Sequence, residues 1–338
     1  MSAQSSAAAW RVERYRSEHA PVWEAAVVAS GNGPFLLRRS YLDYHADRFE
    51  DFSWLIWRGD VLRALFVAGR GWAAAGAAQD LLVAHPGLPY GGLVYALPLT
   101  YQELGGIMTE LRAAWRAAGF RQLLIRPVPR AFCRRPSDAL AYWLHEQGAG
   151  LSQRGLNSVI DLTLPLRAGK SRRNNLRLAR RHGLAVDASQ DYAAFWAILT
   201  ENLARRHGAR PVHMLAEITY LQQHNPAHIS LYVARIGPEM VAGVVLYHDA
   251  GQGFAHTQYI ASSALGQQTG AVDAVLAYVT EWCAAAGYQR LSLGTSMPGG
   301  VLSAGLLSQK EGAGAVGEVQ DTYLLELGDR SYEAGARR

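Results

Sequence analysis

Leu111–Leu123 reads LRAAWRAAGFRQL, and Val279–Leu291, 168 residues later, reads VTEWCAAAGYQRL. The two share Ala-Ala-Gly, then an aromatic residue (Phe120, Tyr288), then a leucine (Leu123, Leu291). Both read as the end of an amphipathic helix, a glycine stop and a strand. In the second copy Val272, Val275, Leu276, Val279 and Cys283 recur at helical spacing and make one apolar face. A pair of strands precedes each helix. SWLIWRG (53–59) and VLRALFVAG (61–69) turn at Arg58, Gly59 and Asp60; ISLYVARIG (229–237) and VAGVVLYHD (241–249) turn at Gly237, Pro238 and Glu239. Glycine at such turns marks hairpins. A third strand follows each pair, GGLVYAL (91–97) and GFAHTQYIA (253–261). An offset of 168 in 338 residues predicts a duplicated α/β (α+β) domain, each copy a mixed sheet with helices. The Gly-rich stretch 148–156 is the expected linker. It gives one domain over 1–152, a second over 153–330 and a loose tail over 331–338.

Composition narrows the class. Hydrophobic residues make up 49% and charged residues 18%, which excludes a disordered or collagen-like chain. No run of ~20 apolar residues is present to span a membrane. The opening MSAQSSAAAWRVERYR lacks the basic-then-apolar order of a secretory signal, so a cytoplasmic location is expected. Two cysteines, Cys133 and Cys283, are too few for a disulfide framework or a cysteine-rich zinc site. His207 and His213 stand six apart with no carboxylate at useful spacing, so no metal site is expected. No G-x-S-x-G elbow and no Walker loop occurs, which argues against a serine nucleophile or a P-loop.

Charge is concentrated in the middle. From Arg121 to Arg181 the balance is +10, while the whole chain is +5. Such a band suits an anionic partner: a phosphorylated cofactor, a nucleotide-sugar, RNA or a membrane surface. Its densest part, KSRRNNLRLARR (170–181), predicts a basic helix ended by Gly183. No aromatic residue interleaves with these arginines, so base stacking has no support there.

The basic helix followed by HGLAV resembles a stretch in the second half of Fem-like acyltransferases, which are tandem domains of the GNAT fold. The segment SLGTSMPGGVLSAGLLSQKEGAGA (292–315) is similar to the ending of GNAT-like proteins of surface-polysaccharide gene clusters (Fem-like, BioF2-like). Gly294, Ser296, Gly305, Lys310, Glu311, Gly312 and Gly314 match, and Ala313 replaces the usual aromatic. YLDYHADRF (41–49), HPGLPYGG (85–92), RHGARPVH (206–213) and HTQYIAS (256–262) resemble the same group, so the likeness spans both halves. It implies two tandem GNAT-like domains and transfer of an acyl group, most simply from an acyl-coenzyme A such as acetyl-CoA, without a metal. In the Fem branch proper the donor is an aminoacyl-tRNA and the acceptor a peptidoglycan precursor. The long helical arm of tRNA-linked members is missing between Gly183 and Ile229, which disfavours tRNA.

GNAT enzymes place the coenzyme A pyrophosphate on backbone N–H groups at a helix start, where donors and a positive dipole end converge. The corresponding place here is ALGQQTGAVDAV, with Gly266, Gln267, Gln268, Thr269, Gly270 and Ala271 as cofactor-binding candidates and Gln258 before them. Gln267-x-x-Gly270 fits the motif; its last position holds Val272 instead of Gly or Ala. Gln102 to Gly105 repeats the spacing in the first half, but Glu103 opposes a phosphate there.

Acyl transfer needs a deprotonated acceptor, a polarised carbonyl and a proton for the leaving group. His256, His213 and Glu311 are the catalytic candidates. His256 and Gln258 should share one strand face and Tyr259 the other. Lys310 and Glu311 read as a charged pair, with Lys310 able to take a phosphate or carboxylate. His85, Tyr90, Tyr259, Ser296 and Lys310 are the substrate-binding candidates. The expected activity is N-acylation of an amino group on a nucleotide-linked or lipid-linked sugar in surface-polysaccharide assembly, by a chain that can form a homodimer. The alternatives are a Fem-type aminoacyl-tRNA transferase and a non-catalytic basic binding module.

Overall fold

The computed structural model describes residues 9–71, 79–165 and 169–328, the side chains of Arg206 and His207 excepted. The expected loose tail at 331–338 lies outside the described residues. The chain forms two compact units. Unit one holds residues up to 128, 137–154 and those from 321 onward; unit two holds 129–136 and 155–320.

In unit one the chain runs β1 (Trp10–Arg14), α1 (Ala20–Ala29), α2 (Arg39–Leu42), β2 (Trp54–Arg58), β3 (Val61–Val67), β4 (Gly69–Arg70), β5 (Leu81–Val83), β6 (Gly92–Tyr95), α3 (Tyr101–Ala117), β7 (Gln122–Ile125) and α4 (Ala139–Glu146). The predicted hairpin is β2 with β3, and β1-β2-β3-β6 form an antiparallel sheet. A mixed group lies beside it in sequence: β5 pairs in parallel with β7, β4 antiparallel with β5, and residues 323–326 antiparallel with β7. Helix α3 opens with a capping box. The Thr100 hydroxyl accepts from the Glu103 N–H, and the Glu103 carboxylate accepts from the Thr100 N–H. Its apolar face buries Leu104, Ile107, Met108, Leu111 and Trp115, and the Trp115 ring lies 4.6 Å from Phe66. The first copy of the repeat is thus the end of α3, a left-handed Gly119 and β7.

The chain continues through β8 (Gly150–Asp161), α5 (Lys170–Arg181), β9 (Ala185–Ser189), α6 (Tyr192–His207), α7 (Leu215–His224), β10 (Ile229–Ile236), β11 (Glu239–Asp249), β12 (Phe254–Ser262), α8 (Ala264–Gln268), α9 (Ala271–Ala285), β13 (Arg290–Thr295), α10 (Ala304–Gly312) and β14 (Val316–Glu326). Unit two orders its strands β8-β13-β12-β11-β10-β9, antiparallel throughout except for β12 with β13. Helix α9 packs the predicted face, with Val275, Leu276, Val279 and Cys283 buried and Val272 partly buried in the cluster that holds the sheet residues Val241, Val244, Ala255 and Leu291. The stretch 148–156, expected as a linker, is strand from Gly150 onward. Its polar residues are exposed, and ladder bonds need no apolar alternation; Gly155 sits where a Cβ would meet the Gln320 carbonyl at 3.4 Å.

Gly266 shows how tightly the turn after β12 is held. A Cβ there would stand 2.1 Å from the Val241 carbonyl oxygen, a backbone atom of β11 that cannot swing aside. Gly266→Ala is therefore expected to destabilise by about 1–3 kcal/mol or more, read as a lower urea midpoint at unchanged slope. A variant as stable as the parent would show that α8 shifts freely on the sheet.

Candidate active site

The centre of unit two is the place where a parallel pair of strands separates. β12 and β13 pair at Phe254 with Arg290, Ala255 with Leu291 and His256 with Ser292, and no further. Beyond that point β12 runs on to Ser262, while Thr295 of β13 lies opposite Asn157 of β8. On its other side β12 carries an extra residue. Val245 faces Tyr259 and Leu246 faces Thr257, so Gln258 has no opposite number in β11. Such a bulge bends a strand and leaves backbone groups outside the ladder. His256 stands at the apex of the opening.

His256 is held by groups far away in sequence. Its Nδ1 lies 3.1 Å from the Ser292 hydroxyl, which also accepts the Gly294 N–H at 3.2 Å. The Phe132 ring meets the imidazole edge-on at 5.4 Å and stacks on Phe254 at 4.4 Å. Gly294 has a left-handed φ of 71°, and a Cβ on it would lie 3.3 Å from the His256 Cε1. Burial, then the nearby Lys310 ammonium, lower the His256 pKa to about 4 against a smaller raising effect of the Ser292 backbone. The ring is neutral at pH 7.

Lys310 and Glu311 do not pair as the sequence suggested. Adjacent residues on a helix point in different directions. Lys310, 8% exposed, donates to the carbonyls of Gly294 at 3.0 Å and Thr295 at 2.6 Å, whereas Glu311 is exposed. Burial lowers the Lys310 pKa to about 8. Next to those carbonyls, Ser296 is fully buried and its hydroxyl has no hydrogen-bond partner among the described residues.

His213 and Tyr259 come together. The Tyr259 hydroxyl lies 2.5 Å from the His213 Nδ1 and accepts the His213 N–H at 3.3 Å, while the Trp196 indole donates to the His213 carbonyl at 3.1 Å. Burial pushes the phenol up to about 12, with hydrogen bonds from the His213 backbone and the Gln258 side chain acting the other way. Burial alternates along β12 as expected, His256, Gln258 and Ile260 being partly exposed and Thr257, Tyr259 and Ala261 buried.

The donor-site candidates occupy the turn between β12 and α9. Ser263 caps α8 by accepting the Gly266 N–H at 3.2 Å. The N–H groups of Gln267 and Thr269 bond to the carbonyls of Ser263 and Leu265, both at 3.1 Å. Gln267 and Gln268 are exposed; Thr269, Gly270 and Ala271 are buried. Gly270 begins α9 with φ 74°, and a Cβ on it would lie 2.6 Å from the Asn175 carbonyl of α5. Asn175 also donates to Asp273 at 2.6 Å. The basic helix thus lies against the first turn of α9. It buries Arg172, whose guanidinium donates to the Ala313 carbonyl at 2.9 Å, and exposes Arg173, Arg177, Arg180 and Arg181.

His85 and Tyr90 belong to unit one. His85 adopts φ 52°, accepts the Gly87 N–H on Nδ1 at 3.3 Å and lies 5.5 Å from the His45 ring. Burial and the neighbouring His45 lower its pKa to about 3. Tyr90 is 2% exposed. Burial pushes the thiols of Cys133 and Cys283 up to about 12, so neither is a thiolate at neutral pH. Among the described residues no helix is long and apolar enough to cross a membrane.

Sequence reasoning missed Ser292, Phe132 and Asn175. Only Ser292 had a signal, since it opens the family-like ending; the other two depend on contacts across more than ninety residues.

Residues 170–300 match the family model described as an acetyltransferase (GNAT) domain. The match includes the basic helix, His256 and Ser292 and stops before Lys310. No curated protein sequence matches. Among solved structures, the chain is similar to FemX at 12% identity and TM-score 0.64, covering 92% of this chain and 96% of that one. It is similar to L-PGS from Bacillus licheniformis at 17% identity and TM-score 0.57, with 95% and 94% covered. It is also similar to a tandem GNAT protein from the clavulanic acid biosynthesis pathway, solved without AcCoA, at 11% identity and TM-score 0.54, with 95% and 100% covered. The fold is the tandem GNAT-like one, and the chain is an acyltransferase by the domain it carries.

Proposed function

We propose that the protein transfers an acyl group, in the simplest case acetyl, from an acyl-coenzyme A to an amino group of a nucleotide-linked or lipid-linked sugar used in surface-polysaccharide assembly. The observation that carries the acyl-transfer reading is the separation of β12 from β13 at His256 and Ser292, inside the matched acetyltransferase segment. It offers an extended acyl donor a place beside β12, where the bulge at Gln258 frees backbone groups. The thioester carbonyl would lie near His256, and the phosphates toward the first turn of α9. Support for a coenzyme A donor comes from the acetyltransferase (GNAT) domain matched over residues 170–300. Lys310 and Ser296 would take an anionic or hydroxyl group of the acceptor, and the exposed α5 arginines would suit a diphosphate carrier.

A second reading has its own support. The likeness to FemX and L-PGS covers more than nine-tenths of this chain, and α5 exposes four arginines. An aminoacyl donor carried on tRNA would then replace the thioester. Titrating coenzyme A, acetyl-CoA and charged tRNA by calorimetry at moderate salt separates the two. Micromolar acetyl-CoA binding that Gln267→Glu, a charge placed at an exposed position of the same turn, weakens at least tenfold is the expected result. Tight, salt-sensitive tRNA binding with no coenzyme A binding would transfer the assignment to the second reading.

A further inference from the structure

We propose that His256 acts as a neutral hydrogen-bond donor, its Nε2–H aimed at the oxygen of the acyl carbonyl, and that Ser292 is the positioning residue that fixes this tautomer. The inference rests on the acyl-transfer reading above and assigns a role within the same site.

The argument starts from the Ser292 hydroxyl, which is 3% exposed. Its oxygen accepts the Gly294 N–H at 3.2 Å and stands 3.1 Å from the His256 Nδ1. A buried hydroxyl proton needs an acceptor. Nδ1 lies within hydrogen-bond distance of this one and can accept it. The Ser292 O–H therefore donates to Nδ1, and the single proton of the neutral ring sits on Nε2. The reverse arrangement, with Nδ1–H donating, would leave the serine oxygen accepting two bonds and its own proton with none. The Nε2 atom makes no hydrogen bond with a described residue. Its neighbour in the ring, Cε1, lies against Gly294, the residue at which β13 has already left β12.

The surroundings keep the ring uncharged. Lys310 brings a positive charge to the Gly294 and Thr295 carbonyls, and Phe132 covers one ring edge. The Ser292 backbone favours a proton, but burial and Lys310 outweigh it. A ring in this state is a poor base for an ammonium proton and a good fixed donor.

In the step this serves, the acceptor nitrogen attacks the thioester carbon and the C=O π pair moves onto oxygen. That oxygen accepts the Nε2–H hydrogen bond where its charge develops. The pair then returns, the C–S bond breaks, and the thiolate leaves with the bonding electrons. It takes up the proton released by the attacking nitrogen. His256 neither gains nor loses a proton.

The test joins spectroscopy to kinetics, with acetyl-CoA as donor. Histidine ¹⁵N spectra of the full chain should show His256 as the Nε2–H tautomer, unchanged between pH 5.5 and 8, and Ser292→Ala should shift it toward the other tautomer. His256→Gln, which keeps an N–H donor, should retain kcat within about tenfold, and His256→Ala should lose roughly 10²–10³. An Nδ1–H tautomer in the parent, or a His256→Gln variant as inactive as the alanine one with an acid limb lost from its pH profile, would overturn the assignment. The tautomer is read without turnover. A chain that shows Nε2–H yet binds no acetyl-CoA therefore removes the thioester reading and leaves the state of the ring established.

Discussion

Lys310→Met is expected to keep the fold and to lower kcat/KM by roughly 100-fold, the scale of losing one preorganised electrostatic contact in a water-poor site. Two opposing effects govern its stability. Methionine removes a buried charge whose desolvation is visible in the lowered pKa of about 8. It also strands the Gly294 and Thr295 carbonyls, at about 1–3 kcal/mol for each one left unsatisfied. The sum should be a modest loss, with the urea midpoint reduced and a cooperative transition retained. Activity responds differently because the third ammonium N–H has no partner among the described residues and is free to take the acceptor's anionic group. A variant with parental kcat/KM would reduce Lys310 to a strut for the end of β13.

The same lysine predicts a pH effect with a definite sign. The ammonium is the competent form and persists below its pKa of about 8. The rate should therefore bend downward as pH rises through 8, and Lys310→Met should lack that bend. A parental profile that climbs through pH 9 without inflection would rule out a required charge.

The hairpins β2–β3 and β10–β11 and the helices α3 and α9 were legible because their apolar residues keep a period and glycines punctuate them. The opening at His256 was not. It depends on β13 leaving β12 just beyond Ser292, a residue 36 positions from His256, and pairing leaves no mark in composition. The bulge at Gln258 was hidden for another reason. Opposite it, β11 is buried from Met240 to Asp249 on both faces, so it shows no alternation from which a slipped register can be read. Lys310 and Glu311 misled through adjacency. They are neighbours in sequence, but the lysine reaches back to carbonyls fifteen and sixteen residues earlier.

Lowering the pH from 7.5 to 5 is expected to destabilise the protein by about 2 kcal/mol for each of three histidines, a larger effect than most single substitutions produce. Their pKa values in the folded chain are about 3 for His85 and about 4 for His248 and His256, all below the ordinary 6.5. Burial is the main cause in each. The unfolded chain therefore binds more protons between those values and 6.5. Stability is complete above pH 6.5 and is lost as pH falls through that window. At His248 both ring nitrogens are already engaged, Nδ1 with the Tyr288 hydroxyl at 2.8 Å and Nε2 with Ser230 at 3.0 Å, so a second proton would disrupt a made network. His85 provides the cleanest check. Its left-handed φ of 52° suits asparagine, which has no titration in this range. His85→Asn should recover about 2 kcal/mol of the acid loss, measured as urea midpoints at the two pH values, while changing little at pH 7.5. If its acid loss equals the parent's, the imidazole of His85 is protonating in the folded chain at no cost, and the buried neutral ring is the wrong description.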